Sequence, residues 1–358
     1  MTTHGGDIYG RASDILDFSS NTNFLGLPDG VKIALIDNID SYDKYPDPAS
    51  TALKAAIAEY HNIPSSYIVC GAGAADLIYR IVLAVQAKMR DDAEQARLNG
   101  NRYGYVGAAS FLAPTFSEYE DAHQLLDSCC EYHYLSPDNG FKLDKPLDNE
   151  LVFICNPNNP TGRLTELDII KQSAKTSDLL VVDECFMDFV PDSTGYSMVP
   201  YLKDYPKAIV LRAFTKTYAM AGLRLGYCLC SNSELVQRIE RTLQPWSVST
   251  PATVAGIAAL KETEYLRKTH ELIPQNRMML INGLRALGLT VYDSDTNYIL
   301  FRYKAGLKEL LLEHGILIRS CANFRGLDDT YYRAVVSSEA NNRQLISAME
   351  IIIANSQS

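Results

Sequence analysis

Short apolar segments that alternate with helix-like segments limit most strongly how this chain can fold. Apolar runs occur at residues 67–70, 105–108, 151–155, 179–182, 208–211 and 226–230. Most are separated by stretches whose apolar residues recur at helical spacing, such as residues 49–60 and 77–89. Strands that alternate with helices predict a largely parallel sheet with helices on both faces, which is an α/β fold.

The pattern changes near Trp246, where a Pro-Trp-Ser step precedes a helical stretch at residues 251–260. We place a domain boundary there, which gives a large domain (31–245) and a smaller α+β domain (246–358). Strand candidates in the smaller domain are residues 298–303, 316–319 and 331–337. Residues 1–30 are interpreted as an arm that joins the small domain, and the charged stretch 90–103 as an insertion without chemistry.

Composition excludes several classes of function. The net charge of −10 argues against general binding to nucleic acid or to an anionic membrane. No apolar run reaches the ~18 residues that a membrane span needs, and the first residues lack the features of a signal peptide. The eight cysteines are scattered without a C-x-x-C pair, so we predict no metal site and a reduced, cytoplasmic protein.

Two candidate catalytic side chains follow predicted strands. Asp183 ends the 179–182 run, at the sheet edge where open α/β folds bind ligands. It could be a metal ligand, a general base or a partner for a cationic ring nitrogen, or only a helix cap. Lys216 follows the 208–211 run, where burial can lower its pKa and activate the amine. An isolated lysine more often lays its stem on apolar surface with its head in water.

Three further segments are suited to binding an anion or to a rigid turn. Arg224 lies in the sequence AGLRLGY, where the glycines allow close approach and the guanidinium can bind phosphate. The segment 71–75 (GAGAA) turns a strand into a helix and offers free backbone N–H groups. Residues 156–162 (NPNNPTG) form a polar loop directly after a strand.

In the order NPNNPTG, VVDE, TK and GLRLGY, these motifs resemble the fold-type I pyridoxal-phosphate (PLP) enzymes, the aspartate aminotransferase superfamily. The resemblance covers essentially the whole chain and implies a homodimer with shared active sites. It implies that Lys216 holds PLP as a Schiff base and that Asp183 pairs with the pyridinium N–H. Asn159 would donate to the ring oxygen O3′, and Phe116 would stack on the ring.

The same resemblance implies contacts for two anionic groups. The cofactor phosphate would be held by Arg224 and by the residues around it in the family pattern, namely Thr215, Gly73, Ala74, Ala75 and, from the neighbouring subunit, Tyr45. Arg333 would bind the substrate's α-carboxylate.

The segments KYPDP and PTFSEY narrow the resemblance to the histidinol-phosphate aminotransferase branch. The opening His4-Gly5-Gly6, the segment 244–248 and the segment 315–324 resemble the threonine-phosphate decarboxylases of that branch. This implies decarboxylation of L-threonine O-3-phosphate, or L-serine O-phosphate, to an aminoalkyl phosphate for the cobalamin nucleotide loop. The residues expected to contact this phosphorylated amino acid are His4, Gly5, Asn23, Asn159, Arg319 and Arg333.

Phe186 stands where most relatives have a tyrosine that donates to O3′, and this departure from aminotransferases favours the decarboxylase. Ala213 is another departure, because many relatives have a hydroxyl there on the cofactor phosphate, so fewer hydroxyls would bind that phosphate. An aminotransferase of histidinol-phosphate type remains the alternative. A binding or regulatory protein of the same fold, and an α/β protein without cofactor, are also left open.

Overall fold

The computed structural model describes residues 4–9, 15–98, 108–126 and 129–356. The strands are β1 (Leu16–Asp17), β2 (Ile68–Gly71), β3 (Ala109–Ala113), β4 (Cys130–Tyr134), β5 (Leu151–Cys155), β6 (Leu179–Asp183), β7 (Ala208–Ala213), β8 (Gly226–Leu229), β9 (Thr290–Val291), β10 (Tyr298–Arg302), β11 (Ile316–Leu317), β12 (Arg319–Ser320) and β13 (Tyr331–Val335). The helices are α1 (Asp29–Asp37), α2 (Thr51–His61), α3 (Ala74–Leu98), α4 (Glu118–Gln124), α5 (Leu167–Thr176), α6 (Phe214–Thr217), α7 (Ser233–Thr242), α8 (Thr250–Ala259), α9 (Thr263–Ala286), α10 (Leu307–Glu313) and α11 (Glu339–Asn355).

A seven-stranded sheet forms the centre of the molecule, with the strand order β2-β8-β7-β6-β5-β3-β4. Neighbouring strands from β7 to β4 run parallel, and β8 runs antiparallel to both β2 and β7. The predicted α/β fold with a mostly parallel sheet is therefore confirmed.

Helices cover both faces of this sheet, and its inner strands are largely apolar and are buried at every position. In β5, Val152 and Ile154 pack into one core together with side chains of α2, α5 and α8. Leu151, Phe153 and Cys155 pack into the opposite core with side chains of α3, α4 and α7. The alternation of side chains along a strand produces this division.

A smaller antiparallel sheet, ordered β12-β13-β10-β9, lies in the C-terminal part. Its core includes side chains of α9 and α11, and it extends to Cys185, Phe186 and Ala213 after β6 and at the end of β7. The C-terminal part therefore packs against the carboxyl ends of the central strands. β1 pairs in parallel with β11, so the N-terminal segment joins this part of the molecule.

The structure differs from the sequence expectation mainly between α3 and β4. The strand predicted at residues 105–108 lies outside the described residues except for Ala108, and the observed strand β3 begins at Ala109. Helix α3 continues to Leu98, into the stretch predicted as an insertion, whose residues 99–103 are not described. None of the helices in the described residues is long and apolar enough to span a bilayer.

Candidate active site

A cavity of about 330 Å³ lies where the seven-stranded sheet meets the smaller C-terminal sheet. Most residues selected from the sequence line it: His4, Gly5, Ala74, Ala75, Phe116, Asn159, Asp183, Thr215, Lys216, Arg224, Arg319 and Arg333. Phe186 and Ala213, the two departures from the aminotransferase pattern, also line it. Gly73 flanks this set, whereas Tyr45 and Asn23 lie elsewhere.

Lys216 lies in the short helix α6, directly after β7. Burial lowers the pKa of its amine to about 8, and the positive charges of Arg333 and Arg224 contribute to the same shift. The unprotonated amine, which a nucleophilic lysine requires, is therefore far more populated near neutral pH than in an ordinary lysine.

Asp183 is the last residue of β6 and is buried. The Tyr119 hydroxyl donates to its Oδ2 at 2.6 Å, and the Cys185 backbone N–H donates to its Oδ1 at 3.0 Å. Burial, and next the charge of Asp183, raise the pKa of Tyr119, so the phenol remains a donor. The carboxylate is thus fixed in orientation at the cavity wall.

An anion cradle forms where α3 begins. Gly73 has a φ of +99°, and a Cβ there would lie 2.9 Å from Nη2 of Arg224. A Cβ on Gly226 would lie 2.7 Å from the Ala74 nitrogen. Both glycines are thus required for the close approach of Arg224 and β8 to the helix N-terminus. Its N–H groups and the guanidinium suit a phosphate.

Arg319 and Arg333 bring two guanidinium groups to the other side of the cavity, on the paired strands β12 and β13. Arg333 donates to the Ser19 carbonyl at 2.9 Å and to Oδ1 of Asn159. Burial lowers the pKa of both arginines, and neighbouring Arg333 helps to lower that of Arg319 to about 10. Two adjacent buried cations favour an anionic ligand, because its charge offsets both their loss of hydration and their mutual repulsion.

The N-terminal segment closes one side of the cavity. His4 Nε2 lies 2.9 Å from Oε1 of Glu118, and this contact is the main cause that lowers the pKa of Glu118. The Gly6 backbone N–H donates to Oγ of Ser19 at 2.7 Å. A Cβ on Gly5 would lie 2.1 Å from the Ser19 carbonyl oxygen, so the chain passes closer than a side chain allows.

One residue of the predicted substrate site, Asn23, does not line the cavity. Asn23 is buried away from the cavity and uses its amide internally, donating to the Thr217 carbonyl at 3.1 Å and to Oγ1 of Thr269 at 2.8 Å. Its neighbour Asn21 lines the cavity instead. Asn21 is 1% exposed, and within the described residues neither atom of its amide group has a hydrogen-bond partner. The two asparagines are not distinguishable by residue type or by local sequence.

Tyr45 lies on the surface. Its side chain is 80% exposed and stacks on Trp246, with ring centroids 4.4 Å apart. It does not line the cavity. No three His, Cys, Asp or Glu side chains form a metal-binding group in the part of the chain that the structure describes.

Comparison with known proteins agrees with this geometry. The model of the family "Aminotransferase class I and II" matches residues 106–349. The chain belongs to this family. It is 36% identical to threonine-phosphate decarboxylase from Salmonella typhimurium, over 98% of this chain and 97% of that protein.

Two solved structures are similar to this member of the family. Histidinol-phosphate aminotransferase from Clostridium acetobutylicum has a TM-score of 0.82 at 27% identity, over 95% of this chain and all of that one (100%). L-threonine-O-3-phosphate decarboxylase from Porphyromonas gingivalis has a TM-score of 0.79 at 25% identity, over 94% and 99%. The predicted family is therefore confirmed.

PLP is the cofactor of this family, and the cavity fits it. The cradle at Gly73 and Arg224 offers donors for a phosphate, and Asp183 offers an oriented carboxylate for a ring N–H. Lys216, with its lowered pKa, offers an amine to an aldehyde. The chain is thus a PLP-dependent enzyme of the class I and II family.

Proposed function

We propose that this enzyme decarboxylates L-threonine O-3-phosphate, or L-serine O-phosphate, to an aminoalkyl phosphate used for the cobalamin nucleotide loop. The observation that carries the proposal is the pair Arg319 and Arg333, which line the same cavity as Lys216. A phosphoamino acid carries a carboxylate and a phosphate, and two guanidinium groups can bind both through paired hydrogen bonds. The similarity to threonine-phosphate decarboxylase supports this choice.

Binding of the cofactor is assigned to residues around the cavity. Bound PLP supplies an electron sink for the charge that remains on Cα when one of its bonds breaks. Lys216 would bind the cofactor covalently, Asp183 would accept the ring N–H and Asn159 would donate to O3′. Phe116 would cover the ring, and the cradle would hold the phosphate with Gly73, Ala74, Ala75, Thr215 and Arg224.

Binding of the substrate is assigned to the arginine side. Arg333 holds the carboxylate, while Arg319 and the His4-Gly5 segment hold the phosphate. Asn21 joins them, because its buried amide has two donors and one acceptor to satisfy. After CO2 leaves, Lys216 returns a proton to Cα. Phe186 supplies no hydroxyl toward O3′, and its ring makes a T-shaped contact with Tyr298, with ring centroids 4.9 Å apart.

A homodimer with shared active sites is part of the proposal. Tyr45 is exposed in its own subunit and stacks on Trp246, which is 46% exposed. Ile33, Ile36 and Ile39 are 59%, 68% and 64% exposed nearby in sequence. Large apolar side chains in water favour burial against a second copy, where Tyr45 would reach the neighbouring phosphate cradle.

One assay separates this proposal from its nearest alternative. The purified holoenzyme is incubated with O-phospho-L-threonine and, separately, O-phospho-L-serine, and CO2 and amine products are measured. We expect CO2 and (R)-1-amino-2-propanol O-phosphate from the threonine compound. Formation of a keto acid and pyridoxamine phosphate without CO2 would instead identify an aminotransferase. That alternative is supported by the similarity to histidinol-phosphate aminotransferase, and histidinol phosphate with 2-oxoglutarate tests it directly.

A further inference from the structure

The loop of residues 321–327, between β12 and β13, carries the side chains that orient Arg319. Oδ1 of Asn323 accepts from Nη2 of Arg319 at 2.7 Å. The Phe324 ring lies below the same guanidinium, 5.5 Å from its carbon, and lines the cavity. The position of Arg319 in the cavity therefore depends on where this loop lies.

The loop is fastened to the opposite side of the site by Arg325. Its Nε donates to Oε2 of Glu120 in α4 at 3.2 Å, and its Nη2 donates to Oε1. The guanidinium carbon also lies over the ring of Tyr132 of β4, 3.9 Å from the ring centroid. The Tyr132 hydroxyl donates to the same Glu120 carboxylate at 2.7 Å, so Arg325, Glu120 and Tyr132 all contact one another.

Two further observations show that the 321–327 loop packs closely against α4 and β4. Partial burial acts to raise the pKa of Glu120, but the hydrogen bonds from Arg325 and Tyr132 outweigh it and lower that pKa. Gly326 has a φ of +84°, and a Cβ there would lie 3.2 Å from the Tyr134 ring. The loop thus rests on Tyr132 and Tyr134, which point to the same face of the edge strand β4.

We propose that Arg325 and Glu120 are positioning residues that clamp the 321–327 loop across the site and so fix Arg319 for the substrate's anionic group. The inference rests on the proposed function, in which Arg319 binds that group. Arg319 is long and flexible, so an unfastened loop increases the conformational entropy lost on binding. Because the clamp already holds the loop in one conformation, less conformational entropy is lost when the substrate binds.

Helix α4 is the natural anchor because its first turn already holds two other parts of the site. Glu118 contacts His4 of the N-terminal segment, and Tyr119 donates to Asp183 of the central sheet. Glu120 holds a third part, the 321–327 loop, through Arg325. Successive helix residues point about 100° apart, so one turn can reach three directions. The clamp therefore sets the arginine side in a fixed relation to the cofactor side.

The test compares Arg325→Ala and Glu120→Gln with the wild-type holoenzyme in four measurements: steady-state kinetics, cofactor absorbance, hydrogen exchange and phosphate affinity. We expect the KM for O-phospho-L-threonine to rise about 3- to 10-fold, the range for an exposed ion pair with a cation–π contact. The kcat and the cofactor absorbance should stay close to wild type, because Lys216 and Asp183 are untouched. Hydrogen exchange of residues 321–327 should increase, and the affinity for inorganic phosphate should fall by a similar factor to KM.

Controls separate the clamp from general effects. Arg343→Ala removes a comparable surface pair with Glu339 on α11 and should change none of these values. Arg325→Lys keeps the charge but loses the paired geometry, so an intermediate KM is expected. An unchanged KM in Arg325→Ala, or faster exchange with unchanged phosphate affinity, contradicts the proposal. If the wild type releases no CO2, only the proposed function fails, because exchange and phosphate binding need no turnover.

Discussion

Asp183 acquires its fixed orientation from a side chain far away in the sequence. Tyr119 lies 64 positions earlier, is fully buried and donates to Oδ2 at 2.6 Å. A carboxylate held by such a neighbour keeps its remaining lone pairs aimed at the ligand. The sequence predicts the acid, because an acid after a buried strand has a defined place. It does not predict the tyrosine, since the rotation of α4 about its axis depends on packing.

The amine of Lys216 leads to a prediction about pH. Only the unprotonated amine attacks the PLP aldehyde, and the lowered pKa of about 8 makes this form available well below the ordinary value of 10.5. The rate of PLP uptake by the apoenzyme, followed by absorbance, should therefore rise with pH through about 8 and then level off. Arg333→Gln removes a charge that lowers this pKa, so the midpoint should move to higher pH. A wild-type midpoint near 10.5, or no movement in the variant, would contradict the assignment.

Asn21 and Asn23 form a matched pair for a second prediction. Asn21→Ala removes an amide without partners among the described residues, so stability should hold while KM for the phosphoamino acid rises. Asn23→Ala removes the bonds to Thr217 and Thr269, so the free energy of unfolding should fall by about 1–3 kcal/mol. Denaturant titrations and steady-state kinetics measure both. A KM effect confined to Asn23→Ala would return the substrate role to that residue.

Among the elements, buried strands are the most predictable from sequence. β5 was expected at residues 151–155 and is observed at Leu151–Cys155, because a strand buried on both faces is apolar throughout. β4 lies at the sheet edge and has the sequence CEYHY, so it carries no such signal. Yet β4 supplies Tyr132 to the clamp, so the clamp is not evident from the local sequence, although several loop residues of the cavity are.

The turn from β2 into α3 gives a prediction at this scale. Gly73→Ala forces a side chain into a backbone with φ of +99° and to within 2.9 Å of Arg224, so PLP affinity should fall about tenfold or more. Gly288→Ala is the matched control, because Gly288 has a φ of +82° with nothing within 4 Å of the added Cβ. It should cost similar stability but leave PLP affinity unchanged. Equal PLP affinities in the two variants would argue against the cradle.

In the whole molecule, Lys216 and Tyr45, which the proposed function assigns to shared active sites, lie at two separate places of the chain. Lys216 lines the cavity, whereas Tyr45 is 80% exposed on the stack with Trp246. Local sequence shows Tyr45 only as part of a turn, and its contact with a neighbouring subunit was implied by the family resemblance. In the proposed homodimer that contact crosses a symmetry axis, which no local pattern encodes. If the sites are shared, each requires Lys216 from one subunit and Tyr45 from the other.

Hybrid dimers test this division. Lys216→Ala and Tyr45→Ala should each abolish or strongly reduce activity as homodimers. When the two variants are unfolded, mixed in equal amounts and refolded, half of the dimers are hybrids, and each hybrid has one site with both residues intact. Activity should then recover to about one quarter of the wild-type value. If Tyr45 served its own subunit's Lys216, no hybrid would contain an intact site and activity would stay at the level of the parents. Recovery is thus specific for sharing, and it does not depend on whether the reaction measured is decarboxylation or transamination.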